Sequence, residues 1–363
     1  MKKFFIAVLI FAALPFTAFA NELPTLTLEE ATRRAINNST AIRNFQDNIT
    51  LSRENEQRIR DIFWETPVWS TSEFVRMQAD LMRMDAGRAV NLSSITAQRE
   101  TLGFIVANHF SNITMAQNEL ALFDKELALM AQDLEMLRVR QSLGMASQTQ
   151  LSIAQNGHQQ ALNNRVNLVS SIDASFRELN RLMGASQGNV YELVFELPFE
   201  PLQNVSINHY VRLHQNNDVQ VEQASRQLSI ARFELDNHGL RFDPLTGIVI
   251  PGGTTRTERE ITVTQANRDL EQARESVENN VIDLYNNILN LQLAIQATSL
   301  QINILLQELE VLQVQYYVGH LTRIEIDRAV SEIYNLQETL RRQETNHSLM
   351  VMQLTNPNIA LGF

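Results

Sequence analysis

Apolar residues along most of this chain recur at spacings of three and four, the period of one face of an α-helix. The run Ile288, Leu291, Ile295, Ile302, Leu305, Leu309 and Leu312 shows the pattern. Between these positions stand glutamine and asparagine rather than dense charge pairs, so the stripe is coiled-coil-like on an uncharged polar helix. The pattern predicts a first helix from Leu28 to about Arg60, a very long one from about Phe74 to Gln141, and a return helix from about Ser147 to Met183 that closes at Gly184. A second set follows, from Ser206 to Asn237, from about Thr257 to Val318, and from about Thr322 to Leu354, ended by Asn356-Pro357. Thr27 is the predicted first N-cap, with Glu30 completing a capping box. Sixty helical residues make a rod of about 90–100 Å, longer than any compact domain.

One short pattern occurs twice. Residues 138–154 read RVRQSLGMASQTQLSIA and residues 313–329 read QVQYYVGHLTRIEIDRA, so Gly144 aligns with Gly319, Ser147 with Thr322 and Ala154 with Ala329 at a constant offset of 175. Each is the pattern of a helix end, a glycine free to adopt positive φ, a Ser/Thr N-cap and a helix running back. Two antiparallel helix hairpins in one chain imply an internal duplication. The expected fold is mainly α: long antiparallel, coiled-coil-like helices from two tandem repeats, with at most short β segments. The expected boundaries are 1–20 for a leader, 21–198 for the first repeat and 199–363 for the second. Each repeat is interrupted between its first and second helix, at 61–73 (with Pro67, Trp64 and Trp69) and at 238–256 (with Pro244 and Pro251 around LTGIVI). Rods this long in a single chain cannot enclose a thick core, so side-by-side packing with further copies, a homo-oligomer, is expected.

Composition adds an address. Lys2 and Lys3, the apolar run Phe4 to Phe16 and the Ala18-Phe19-Ala20 site before Asn21 have the form of a secretory leader. Export to the cell envelope, either its outer membrane or the periplasm, is therefore expected. No cysteine is present, which excludes disulfides and a lipid-modified cysteine. The formal charge is −11, or −13 once the two leader lysines are removed, which disfavours a nucleic-acid partner. About sixty residues are asparagine or glutamine, more than a globular core requires and suited to a helical wall wetted on two sides. His209 and His214 stand five apart, not the four that places two ligands on one helical face, so no metal site is expected. Met77, Met82 and Met84 read as interface filling. No phosphate-binding loop, nucleophile elbow or H-E-x-x-H pattern occurs, and neither an enzyme nor a cofactor is expected.

The start LTLEEATRRAINNSTAIR, the two glycine tips, and FRELNRLMG at the end of the first repeat together resemble the TolC family of outer-membrane efflux proteins. The likeness runs from about Leu26 to Leu361. It implies a trimer whose helices form a hollow α-helical barrel in the periplasm, capped by an outer-membrane β-barrel. It also implies docking of the tips on a periplasmic adaptor (membrane-fusion) protein that serves an inner-membrane pump. On that analogy Gly144, Ser147, Gly319 and Thr322 form the adaptor-facing tip, and Glu325 and Asp327 lie at the tunnel mouth, with Arg328 directly after them. The sequence departs from the family at the interruptions, because a spanning strand needs roughly 9–11 residues and 61–73 cannot hold two.

Several features carry two readings. The tip glycines suit docking or simple turns, and Glu325 and Asp327 suit a tunnel mouth or a solvated helix face. Trp64 and Trp69, with Phe63 and Phe74, suit a membrane-interface belt or packing of a closed end. The leading expectation is a passive exit duct of a tripartite efflux or type I secretion system. The alternative is a non-conducting coiled-coil spacer of the envelope.

Overall fold

The computed structural model describes residues 23–65, 71–202, 206–238 and 255–359. The leader at 1–20, Pro67, Trp69, and LTGIVI with its flanking prolines lie outside these residues. The chain runs β1 (Thr25–Thr27), α1 (Leu28–Asn38), α2 (Thr40–Glu65), α3 (Thr71–Ser142), α4 (Gln148–Met183), β2 (Glu192–Val194), α5 (Ile207–Asn217), α6 (Val219–Asp236), α7 (Arg256–Tyr317) and α8 (Arg323–Thr355). The order short, medium, very long, return thus occurs twice. Helix α3 has 72 residues and α7 has 62, giving rods of about 108 and 93 Å.

Local chemistry sets the ends. Thr27 Oγ1 accepts from the Glu30 N–H at 3.3 Å. The expected second half of that capping box is replaced by an ion pair, because the Glu30 carboxylate turns to Arg34 at 2.5 Å. The single helix expected from Leu28 to about Arg60 is two helices, broken at Ser39 (φ −63°, ψ 116°). The second repeat breaks at the matching place, where Asp218 caps α6 by accepting from the N–H groups of Gln220 and Val221 at 2.8 and 2.9 Å. Both breaks follow an Asn-Asn pair, Asn37-Asn38 and Asn216-Asn217. A Ser or Asp side chain there offers the backbone a cap that competes with helix continuation.

Helix α3 is the hub, touching α1, α2, α4, α6 and α8, while α7 touches α5, α6 and α8. The first core gathers Ala31 and Ala35 of α1, Val106, Phe110 and Ile113 of α3, and Phe176 and Leu179 of α4. Small alanines let α1 lie close against α3. Its counterpart joins Tyr210 and Val211 of α5, Val221 and Leu228 of α6, Val281 and Ile288 of α7, and Leu354 of α8. Strands β1 and β2 pair in parallel with Leu26 opposite Leu193, which seats the buried Leu26 on the first core. The two copies of the plan are joined by the linker after β2. Arg88–Glu56 (2.6 Å) binds α3 to α2, Arg165–Asp124 (2.5 Å) binds α4 to α3, and Arg342–Glu119 (3.0 Å) binds α8 to α3.

The first interruption is shorter than the sequence pattern suggests, while the second, between α6 and α7, keeps its expected length. Helix α2 continues to Glu65 and α3 already begins at Thr71. Five residues remain between them, fewer than one spanning strand needs.

Candidate functional site

Both glycine turns close as the sequence predicts. Gly144 has φ +74° and Gly319 φ +81°. At the first, the Met145 N–H donates to the Arg140 carbonyl (2.8 Å) and the Gly144 N–H to that of Gln141 (3.0 Å). At the second, His320 donates to Gln315 and Gly319 to Tyr316, each at 2.9 Å. These pairs form the Schellman closure, which satisfies carbonyls the helix end leaves free. A Cβ at either glycine would meet nothing within 4 Å, so the backbone angle, not crowding, selects glycine.

Ser147 and Thr322 are engaged locally. Ser147 and Gln150 form a reciprocal capping box, with bonds of 2.8 and 3.2 Å. The Glu325 carboxylate accepts from the Thr322 N–H at 2.7 Å and from its hydroxyl at 2.8 Å. The backbone hydrogen bond from Thr322, then the hydroxyl, hold the Glu325 carboxyl below the usual carboxylate range. Asp327 pairs with Arg323 on its own helix at 3.0 Å. Arg328 reaches across to Asp133 of α3 at 2.5 Å and ties the second hairpin to the first.

That ion pair brings the two tips to one end of the molecule. Between them lies a groove of about 530 Å³ lined by Met130, Leu134, Leu137, Ala154, Ile324 and the Asp133–Arg328 pair. Among the side chains presented outward here are four apolar ones, Leu143 (68 % exposed), Met145 (75 %), Tyr317 (83 %) and Val318. Sequence reasoning centred on the glycines and passed over these four. Their signal was apolar residues flanking a predicted turn, where polar residues are the rule.

Helix α7 carries the second unusual surface. Its buried row is Val281, Ile288, Ile295 and Ile302, spaced by seven. On the opposite side stand Leu293, Leu300 (64 % exposed), Ile304 and Val311, each about half exposed or more among the described residues. From Leu284 to Gln307 no residue is charged. Among the described residues α7 is the one helix long and apolar enough to cross a membrane, although asparagine and glutamine punctuate it. A soluble surface helix needs one apolar stripe, and a helix with two on opposite faces is built to lie between two neighbours.

The remaining candidates separate from the tip. Trp64 belongs to the last turn of α2, and Trp69 lies outside the described residues. The Phe63 and Phe74 rings, 6.1 Å apart, bridge α2 and α3. No group of three His, Asp or Glu side chains disposed to hold a metal occurs among the described residues. His214 is buried in α5 with Nε2 2.9 Å from the Leu354 carbonyl oxygen.

No protein-family model and no curated protein matches the sequence. Solved structures do. The outer membrane protein VceC of Vibrio cholerae aligns with a TM-score of 0.58 at 12% identity, over 90% of this chain and 95% of that one. The CmeC outer membrane channel of Campylobacter jejuni gives 0.59 at 10% identity, over 91% and 85%. The outer-membrane channel OprN gives 0.66 at 9% identity, over 91% and 90%. Identities this low speak for architecture alone, and over nine-tenths of its length the chain has the TolC-like fold of paired long helices.

Proposed function

We propose that the protein is a passive exit duct of the cell envelope. Copies of the chain, three by analogy with the family it resembles, pack side by side into an α-helical tunnel. The paired tips dock on a periplasmic adaptor that serves an inner-membrane pump. The observation that carries this reading is the second apolar stripe of α7, which requires a neighbour that one chain does not supply. Burying a leucine or isoleucine there contributes about 1.5–3 kcal/mol before the costs of association. Outward-facing Leu143, Met145, Tyr317 and Val318 give the tip a matching apolar contact surface. The structural neighbours are channels rather than enzymes, in keeping with a duct that performs no chemistry.

Replacing Leu300 and Ile304 together by glutamate tests the assembly. The double variant is expected to sediment as a monomer with unchanged helicity by circular dichroism. An oligomer of unaltered size removes the proposed wall. Serine at both Leu143 and Tyr317 tests the tip, and export is expected to fall at least tenfold with assembly intact.

The five-residue junction between α2 and α3 favours a second reading, a tube or spacer that builds no barrel of its own. Alkaline carbonate extraction of cell envelopes separates the two. Retention in the membrane pellet supports a membrane-embedded duct, and release into the supernatant supports a peripheral tube.

A further inference from the structure

Five positions of α8 fall seven residues apart: Ile326, Ile333, Leu340, His347 and Leu354. Four are aliphatic, and the last shares a buried cluster with Val281 and Ile288 of α7. A histidine in this row is out of character, and His347 is 0 % exposed. Neither of its ring nitrogens has a hydrogen-bond partner. The ring meets Phe199 of the inter-repeat linker edge-on, with centroids 4.9 Å apart. The next residue, Ser348, places its hydroxyl 3.0 Å from the Pro198 carbonyl and equally from the Glu344 carbonyl of its own helix. The linker is therefore seated on α8 at His347 and Ser348.

A third element meets this point. Helices α3 and α8 run antiparallel, with Asn356 bonded to Glu100 and Arg342 to Glu119, each at 3.0 Å. Between those two rungs, Ala107 of α3 shares a buried cluster with Leu349 of α8, two residues past His347, with Phe195 and Leu197 of the linker packed on it, and Ser111 lies one turn further along α3. Ser111 is likewise buried, and its hydroxyl lacks a partner. A neutral imidazole tolerates such a site, whereas an imidazolium, with two N–H donors and a charge, does not.

We propose that His347 is an acid-sensitive joint: when its buried ring takes up a proton, the linker at 195–202 and the end of α8 come away from α3. The ionisable groups on the surrounding elements are few. Helix α3 offers His109, Glu100, and Glu119 paired with Arg342; the linker offers Glu196 and Glu200. Helix α8 itself offers Glu344, α5 offers His214, and α7 has only Tyr285 between Asp283 and Glu308. None of them supplies a counter-charge, and burial alone lowers the proton affinity of His347. The sign follows. The opened state binds the extra proton, so closure is fully stable above the ordinary histidine range and weakens as pH falls through about 6.5. One such group makes opening up to about tenfold easier per pH unit until the closed state also protonates. His109 and His214 are lowered by burial as well, so the joint must be isolated by a variant of His347 itself.

Hydrogen exchange of the full mature chain at pH 7.5, 6.5 and 5.5, corrected for intrinsic rates, tests this for the wild type and for His347→Leu. In the wild type, opening at 195–202 and 343–355 is expected to rise by up to about tenfold between pH 7.5 and 5.5, while the first core around Phe110 and Phe176 stays protected. His347→Leu is expected to flatten that rise by about one proton. An unchanged rise in the variant, or acceleration spread evenly over the chain, overturns the joint. Should the variant fail to fold, titration of the His347 ring by NMR in the wild type decides. A midpoint below those of the exposed histidines, coincident with opening of the linker, supports the joint, and an ordinary midpoint overturns it. None of these readouts depends on transport, so they stand apart from the duct proposal.

Discussion

At the scale of single residues, the end of the first repeat is held by a pair of residues 146 positions apart. Gly184 terminates α4 at φ +67°, and Asn38 donates its side-chain amide to the Arg181 and Leu182 carbonyls at 3.2 and 3.0 Å. A Cβ on Gly184 would stand 2.7 Å from Asn38 Oδ1. Asn38→Ala therefore removes bonds to carbonyls at a helix end and is expected to cost about 1–2 kcal/mol. Gly184→Ala is expected to cost at least about 1–2 kcal/mol from the left-handed backbone alone, plus the displacement of Asn38. Chemical denaturation of both single variants and the double variant checks the coupling. The alanine at 184 should cost less when Asn38 is already gone, and strict additivity would show that the close approach carries no strain. Both residues stand in the motifs by which the sequence resembles the TolC family. The second repeat does not copy their contact, since the Asn217 amide bonds to Leu213 in its own helix.

At the scale of elements, each hairpin tip is self-sufficient, and the strap between the hairpins is a separate feature. Arg328 is mostly and Asp133 about one-third solvent-accessible, so their ion pair adds little to global stability, at most about 1 kcal/mol. Its effect is positional, because it fixes α8 against α3 near the tip groove. Arg328→Ala is expected to leave thermal stability nearly unchanged and to raise protease cleavage or hydrogen exchange around Gly319. Asp133→Arg combined with Arg328→Asp should restore protection, and failure to do so would show that the contact does not set the spacing of the tips. The breaks at Ser39 and Asp218 belong to the same scale. Asp218→Ala is expected to cost about 1 kcal/mol by loss of the cap, read as a lower denaturation midpoint at constant m-value. Both breaks were visible as Asn-Asn pairs followed by a capping residue, yet the unbroken apolar period around them reads as one continuous helix.

At the scale of the whole molecule, the chain is a set of rods with a thin core, and much of its apolar surface faces outward. The stripe Leu293, Leu300, Ile304 and Val311 and the tip residues Leu143, Met145 and Tyr317 are among these exposed apolar side chains. They make a lone protomer an incomplete unit. Purified mature chain is accordingly expected to show concentration-dependent thermal stability, with the midpoint rising as concentration is raised and oligomers form. A midpoint independent of concentration, with a monomeric mass throughout, would refute that expectation. The junction of α2 and α3 marks the other boundary of the reading, since five residues leave no room there for a spanning strand.

The apolar period, the scarcity of proline and glycine, and the duplicated glycine tips already dictated long paired helices, because each signal is local and acts within a turn or two of chain. The same locality made Gly144, Ser147, Gly319 and Thr322 legible as turn and cap residues. Helical periodicity also tolerates almost any aliphatic side chain at a core position, which is why the fold persists at 9% identity to OprN. Three things depended on contacts distant in sequence. One was which apolar stripe of α7 is covered and which is bare. Another was the pairing of Arg328 with Asp133 rather than its exposure at a charged mouth. The last was the burial of His347 among α3, α8 and the linker. A heptad states that a face is apolar, and only the packing of the helices states what lies against it.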